Sequence, residues 1–182
     1  LPQISSEFGV SPATAGLSVS AVVLLVALAS TSYGPLSDMV GRKPVMVGSC
    51  ALLAIPTLLC AVAPSFGWLL VGRALQGLCI PGVAAVAVAY LGDLVEPQAL
   101  GRSVGAWIAA NVMGGLISRT GSGLIADFFD WRMAFVVFGL LTFGCAIWMG
   151  LSLPTGPPTR RHSWRTAYGG LAAHLQNRQL VG

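Results

Sequence analysis

Long uncharged stretches, each long enough to cross a lipid bilayer, make up most of this chain. Residues 8–37 and 44–72 hold no charged side chain, and a short polar island at 34–44 lies where they meet. About 20 helical residues span the hydrocarbon core of a bilayer. Only 9% of the 182 residues are charged, whereas a soluble domain carries about 25%. This is too little charge to coat a soluble globule, so we predict a polytopic membrane protein.

The apolar stretches divide into five predicted membrane spans. They lack the alternation that a barrel strand facing a lumen requires, so we expect helices. Short polar connections make successive helices antiparallel neighbours. The predicted fold class is therefore an all-α membrane protein. The spans cover residues 14–36, 45–63, 67–91, 101–126 and 132–153.

Arginine and lysine are distributed unevenly between the loops. Loops on one side hold seven of them, whereas the other side holds only Arg132, beside acidic residues. Because basic loops face the cytoplasm, we expect the 37–43 loop and the C-terminal segment to be cytoplasmic and residues 1–13 to lie outside. The formal net charge of +4 is thus an orientation signal. The basic residues form no patch interleaved with exposed aromatics, so no nucleic-acid partner is expected.

The polar island has a specific pattern, with Gly34, Asp38, Gly41, Arg42 and Lys43 at fixed spacing. This pattern resembles the loop between the second and third helices of major facilitator superfamily transporters. The resemblance implies a gating loop that stabilises one conformational state by touching the other half of the transporter. The chain departs from the family pattern directly after the aspartate, where the family often has arginine.

Arg73 interrupts an otherwise uncharged span. A charge inside a span costs about 2.5–3.5 kcal/mol on insertion scales, so such a residue normally faces a cavity or a partner. The alternative is that its long side chain reaches the outer interface. Arg73, Gln76 and Gly77 resemble the fourth-helix signature of proton-coupled members of the superfamily. That resemblance implies that Arg73 influences proton transfer, with Gln76 on nearly the same helix face.

The fourth predicted span is rich in small residues, which let another helix pack closely. Gly105, Gly114 and Gly123 match part of a fifth-helix pattern of family antiporters, and Arg119 stands where that pattern has a kinking proline. We expect Arg119 toward the outer side, near Arg73. Two cations in one cavity suit an anionic substrate or an acidic partner elsewhere in the protein. Both could equally reach the interface.

Charged residues also lie near the inner ends of the third and fourth spans. Asp93, Glu96 and Arg102 could form an ion-pair set with the Asp38 loop, and solvated loop charges are the alternative. The four cysteines all fall inside apolar runs, as reduced buried side chains do. The chain contains no pattern of a metal site, a phosphate-binding loop or a catalytic triad, and no cofactor is expected.

The resemblance spans essentially residues 1–182 and implies one six-helix half of a facilitator transporter. In this reading the chain is a fragment that carries five of the six helices, equivalent to helices 2–6. Residues 1–153 form the membrane part. Residues 154–182 form a cytoplasmic linker, with a short amphipathic helix, toward a second half that the chain does not contain.

The implied function is secondary active transport in the bacterial inner membrane, by two halves that rock about a central site. We expect proton-coupled efflux of a small organic solute, with protons, the lipid bilayer and the missing half as partners. One alternative is a symporter or uniporter that imports a small organic or anionic solute. Another is a membrane scaffold that transports nothing. We do not expect an enzyme.

Overall fold

The computed structural model describes residues 2–155. Within that range the chain is helical and contains no β-strand, so the predicted fold class is confirmed. Most of the 154–182 segment, including its predicted amphipathic helix, lies outside the described residues. The helices are α1 Pro2–Phe8, α2 Pro12–Val40, α3 Arg42–Ala61, α4 Phe66–Cys79, α5 Pro81–Leu94, α6 Pro97–Phe128 and α7 Trp131–Ser152.

Four of the five predicted spans coincide with helices long and apolar enough to cross a membrane. These are α2, α3, α7 and the pair α4 and α5, which together form one stretch over Phe66–Leu94. The fourth predicted span coincides with α6, whose 32 residues exceed the required length. α6 is less apolar than the other four, because Asn111, Arg119 and many glycines and serines interrupt it.

The residues at the helix ends explain where the helices begin. Ser11 precedes α2 and accepts a hydrogen bond from the N–H of Thr14 at 3.1 Å. Ser65 precedes α4 and does the same for the N–H of Trp68 at 3.4 Å, as helix-capping side chains do. Gly41 alone separates α2 from α3, with φ at +105°, a conformation open to glycine and costly for other residues. The two helices therefore join through a one-residue turn.

α3 lies at the centre of the described helices. It packs against α7 on one side and against α4 and α5 on the other, while α2 packs on α4 and α5. α6 contacts α5 and α7 and has no buried residue within the described part of the chain. Two buried clusters lie at opposite ends of α3. One contains Ile4, Cys60, Ala63, Leu69 and Trp131, and the other Val45, Met46, Val86, Ala87 and Tyr90.

A glycine sets the distance between α2 and α4. A Cβ atom built at Gly77 would lie 2.6 Å from the carbonyl oxygen of Val22 and 2.9 Å from the Cβ of Leu25. Only glycine lets the two backbones approach this closely. Because Gly77 follows Gln76, this contact also fixes how deep the polar part of α4 lies in the bundle.

Candidate functional site

The polar island forms an ion-pair cluster at one end of the bundle. The Nε atom of Arg42 lies 2.6 Å from a carboxylate oxygen of Asp93, and its NH2 group lies 3.6 Å from Asp38. The geometry at Nε does not meet that of a hydrogen bond, so the contact with Asp93 is an ion pair. The cluster joins the end of α2, the start of α3 and the end of α5. Glu96 and Arg102 make no ion pair with any residue in 2–155.

The same end of the bundle holds the end of α7. The Nζ group of Lys43 donates a hydrogen bond to the carbonyl oxygen of Leu153 at 2.6 Å. The hydroxyl of Tyr90 donates to the carbonyl oxygen of Pro154 at 2.6 Å. A cation at a helix C-terminus meets carbonyl groups that have no partner inside the helix. The polar island thus contacts the segment that leaves α7, which the sequence pattern did not indicate.

Gly34 lies inside α2, and no neighbouring helix comes within 4 Å of a Cβ built there. The same holds for Gly105, Gly114 and Gly123 in α6. These four glycines therefore make no close helix contact among residues 2–155. The packing role predicted for Gly105, Gly114 and Gly123 and the gating role predicted for Gly34 stay predictions.

Arg73 lies at the start of a side-chain relay between α4 and α3. Its NH1 group donates to the Oε1 atom of Gln76 at 3.1 Å. The Nε2 group of Gln76 donates to the hydroxyl of Thr57 at 2.9 Å, and that hydroxyl donates to the carbonyl of Leu53 at 2.7 Å. Gln76 is only 5% exposed. The relay fixes the orientation of the guanidinium, because each amide and hydroxyl in it has a buried partner.

The Arg73 guanidinium also packs against an aromatic ring, and one of its nitrogen atoms has no hydrogen-bond partner among the described residues. Its central carbon lies 4.9 Å from the ring centroid of Phe135 in α7, within the range of a cation–π interaction. Its Nε atom is buried and has no hydrogen-bond partner among the described residues. Sequence reasoning found Arg73 and Gln76 but missed Thr57 and Phe135. Neither missed residue carries a distinguishing signal in an apolar span.

These groups face one large cavity between the helices. The cavity has a volume of about 1010 Å³ and is lined by α1, α2, α3, α4, α6 and α7. Its apolar wall includes Phe135 and Phe138. Arg73, Gln76 and Arg119 all line this cavity, together with residues of α3 and α6. A shared functional role for Arg73 and Arg119 stays a prediction. The polar and charged residues of the wall include Gln3, Thr57, Arg73, Gln76, Ser118, Arg119, Ser122, Asp127 and Thr142.

A second charged cluster lies at the opposite end of the bundle from the polar island. Arg132 pairs with Glu7 and donates to the carbonyls of Ala61 and Ala63 at 3.2 and 3.0 Å. The indole N–H of Trp131 donates to the other oxygen of Glu7. The hydrogen bond from the Trp131 indole has the largest effect on the pKa of the Glu7 carboxyl, and the hydrogen bond from Arg132 has the next largest. Both hold this pKa below its usual value. The cluster fastens α1 to α7 and to the loop after α3.

The sequence carried one signal for this second cluster. Arg132 is the sole basic residue in the loops expected outside, and it closely follows Asp127 and Asp130. Charge pairing there was predictable, whereas the choice of Glu7 as its main partner depends on how α1 folds back. The titratable groups around this cluster are Glu7, Asp130 and Arg132, and the Asp130 carboxylate lies 3.9 Å from Arg132.

Comparison with known proteins decides the family. A family model described as Major Facilitator Superfamily matches residues 1–176. The chain belongs to the major facilitator superfamily. Membership of this superfamily agrees with the all-helical bundle and with the pattern of the polar island.

Two superfamily relatives match nearly the whole chain. The chain is 38% identical over 182 residues to "Inner membrane transport protein YnfM" of Escherichia coli (strain K12), covering 99% of the chain and 44% of the relative. It is 34% identical over 185 residues to "Uncharacterized MFS-type transporter YybF" of Bacillus subtilis (strain 168), covering 99% of the chain and 45% of the relative. The chain therefore spans less than half the length of these relatives.

Proposed function

We propose that this chain is part of a secondary transporter of the bacterial inner membrane that exports a small organic solute in exchange for protons. Three findings support the membrane-transport part of the proposal: superfamily membership, spanning helices, and a relative named as an inner membrane transport protein. In this proposal residues 1–153 are most of one half of the transporter. Residues 154–182 are a cytoplasmic linker toward the second half.

The buried position of Arg73 carries the proton-coupling part of the proposal. Its guanidinium lines the cavity inside a helix that can span the membrane, and it donates to Gln76, whose amide in turn donates to Thr57. A fixed cation in a low-dielectric site favours the deprotonated form of any acid that approaches it. Movement of an acid toward or away from Arg73 would then release or take up a proton. Gln76 serves as a positioning residue in this scheme.

The polar island is proposed as the inner gate. Arg42 ties α2 and α5 together through Asp38 and Asp93, and Gly41 permits the sharp junction before it. Lys43 extends the tie to the end of α7. Separation of the inner helix ends would break these pairs, so the cluster favours one conformational state. Gly34 is proposed to allow approach of a helix beyond the described residues.

α6 is proposed as a contact face toward the second half. It has no buried residue within the described part of the chain, and Gly105, Gly114 and Gly123 leave its surface open to close packing. Import of a small organic or anionic solute is the second candidate. Arg119 favours it, because an arginine replaces the proline of the antiporter pattern and lies in the cavity wall.

The experiment that tests proton coupling uses the full-length protein in everted membrane vesicles with an imposed pH gradient. Sugars, cationic dyes and organic acids are added in turn, and dissipation of the gradient is followed with a pH-sensitive dye. We expect one class of solute to dissipate the gradient, and we expect Arg73→Ala to abolish the effect at normal membrane abundance. Arg102→Ala, on α6 and outside the cavity wall, is the matched control. Unchanged coupling in Arg73→Ala would remove the role assigned to Arg73.

A further inference from the structure

The charges in the cavity wall are unbalanced. Arg73 and Arg119 both line it, and Asp127, at the end of α6, is the acid that accompanies them. Neither arginine forms an ion pair with any residue between 2 and 155. Arg119 makes no side-chain hydrogen bond in that range, and the Nε atom of Arg73 is buried without a partner. Cations within a membrane bundle usually face a water-filled cavity or pair with an opposite charge or with backbone carbonyls.

The neutral hydroxyl groups of the wall already donate to the protein. Ser118 donates to the carbonyl of Gly115 at 3.0 Å, and Ser122 donates to the carbonyl of Arg119 at 3.1 Å. Thr57 and Thr142 donate to carbonyls of their own helices at 2.7 Å each. A hydroxyl has one hydrogen to donate. The N–H groups of the two arginines are therefore the main free donors that the wall offers to a ligand.

Free arginine N–H groups in an otherwise largely apolar wall favour one kind of ligand. A sugar presents many hydroxyls that need both donors and acceptors, and a cation would meet two like charges. A carboxylate presents acceptors alone and fits the planar fork of a guanidinium. The remaining wall is aromatic and aliphatic, with Phe135 and Phe138 among its members. Its volume of about 1010 Å³ suits a small organic molecule.

We propose that this cavity binds the carboxylate of a small organic acid with an apolar body, held by Arg73 and Arg119. The proposal rests on the proposed transport function and names the chemical class of its solute. It does not depend on the direction of transport. The phenylalanine side chains contact the apolar body in this arrangement, and Ser118 and Ser122 retain lone pairs that accept from any hydroxyl or N–H group the acid carries.

The test measures binding of matched acid and amide pairs to the full-length protein in lipid nanodiscs. Benzoate, cinnamate and hexanoate are each compared with the uncharged amide of the same shape by calorimetry. We expect at least one acid to bind at least tenfold more tightly than its amide. Arg119→Gln should remove that preference and Arg119→Lys should keep part of it. Arg102→Gln, a change on the same helix outside the cavity wall, should leave it unchanged.

Several results would overturn the proposal. These are equal binding of every acid and its amide, a preference for acids that survives Arg119→Gln, or no binding of any of the acids. The last result would mean that a carboxylate elsewhere in the protein satisfies the arginines. Proton-coupled transport of a sugar or a cationic dye, with no acid bound, would refute this inference and leave the proposed function intact. Selective acid binding without proton-coupled flux would support this inference and refute the proton-coupled function.

Discussion

At the scale of single residues, partners on other helices give this chain its buried polar features. Arg73 and Gln76 are visible in the sequence, because a charge and an amide stand out in an apolar span. Their acceptor Thr57 and the ring of Phe135 lie on other helices. Threonine and phenylalanine are common in spans, so nothing marked these two before the helices were placed together.

Thr57 should contribute to stability through its place in the relay. Thr57→Val removes the acceptor of the Gln76 amide at nearly constant volume and leaves a buried N–H group without its partner. A loss of about 1–3 kcal/mol is expected for an unsatisfied buried group. The measurement is thermal unfolding of the purified full-length protein in detergent. Thr31→Val, at an exposed threonine of α2, is the control and should change the midpoint little.

Glu7 should make stability depend on pH. Its pKa is lowered by the Trp131 indole and the Arg132 guanidinium, so the folded state favours the ionised carboxyl. The stabilisation is present above the usual value of 4.5 and is lost as the pH falls through the lowered pKa. Because Glu7 is 40% exposed, solvent screens the effect and it will be modest.

The pH dependence is measured by thermal unfolding of the full-length protein from neutral pH into the acid range. Glu7→Gln should lower the midpoint at neutral pH and flatten its fall in acid. Glu96→Gln, at a residue without an ion pair in 2–155, should reproduce the wild-type curve. A wild-type slope that persists in Glu7→Gln would assign the acid sensitivity to other groups.

At the scale of elements, the described helices follow the predicted spans closely, because continuous apolar runs leave few alternatives in a bilayer. The two departures have physical causes. Pro81 lies in the third span and begins α5 directly after α4. Its missing N–H group interrupts the helix hydrogen bonds at that point, while Phe66–Leu94 still forms one apolar stretch. α1 is a short helix in residues 1–13, where no span was drawn, and it became visible only in the packed structure.

The contact between α2 and α4 should depend on Gly77. Gly77→Ala places a methyl group 2.6 Å from the backbone oxygen of Val22, so the helices must move apart. Overpacking of this kind costs about 1–3 kcal/mol. Gly48→Ala, in α3 with nothing within 4 Å of the new Cβ, should be neutral or slightly stabilising. Equal unfolding midpoints for the two variants would contradict the close approach.

The end of α7 should depend on Tyr90. Tyr90→Phe removes the hydroxyl that donates to Pro154, which frees the start of the segment that follows. We expect trypsin added to inside-out vesicles to cut faster at Arg160 and Arg161. Tyr33→Phe, which loses a similar bond to Leu78, should leave the rate unchanged. Identical cleavage of the two variants would show that Tyr90 does not hold this segment.

At the scale of the whole molecule, composition and loop charge were sufficient to predict a multi-pass helical membrane protein, and superfamily membership agrees with the pattern of the polar island. The cavity was less predictable. Two arginines in separate spans indicated that polar surface lies inside the bundle. The size of the cavity and its aromatic wall depend on the way six helices pack. The cluster of Glu7, Trp131 and Arg132 depends on α1 folding back against the start of α7, and no sequence pattern indicated that contact.

In the proposed mechanism the Arg73 cavity opens alternately to the two sides of the membrane, and cysteine labelling can follow this opening. Ser122→Cys is made in the full-length protein freed of other cysteines, since Ser122 lines the cavity and a thiol is close to it in size. A membrane-impermeant thiol reagent is applied to right-side-out and to inside-out vesicles. We expect labelling from both sides, with the balance between the two sides shifted by an imposed pH gradient. Labelling from one side only, under every condition, would contradict it.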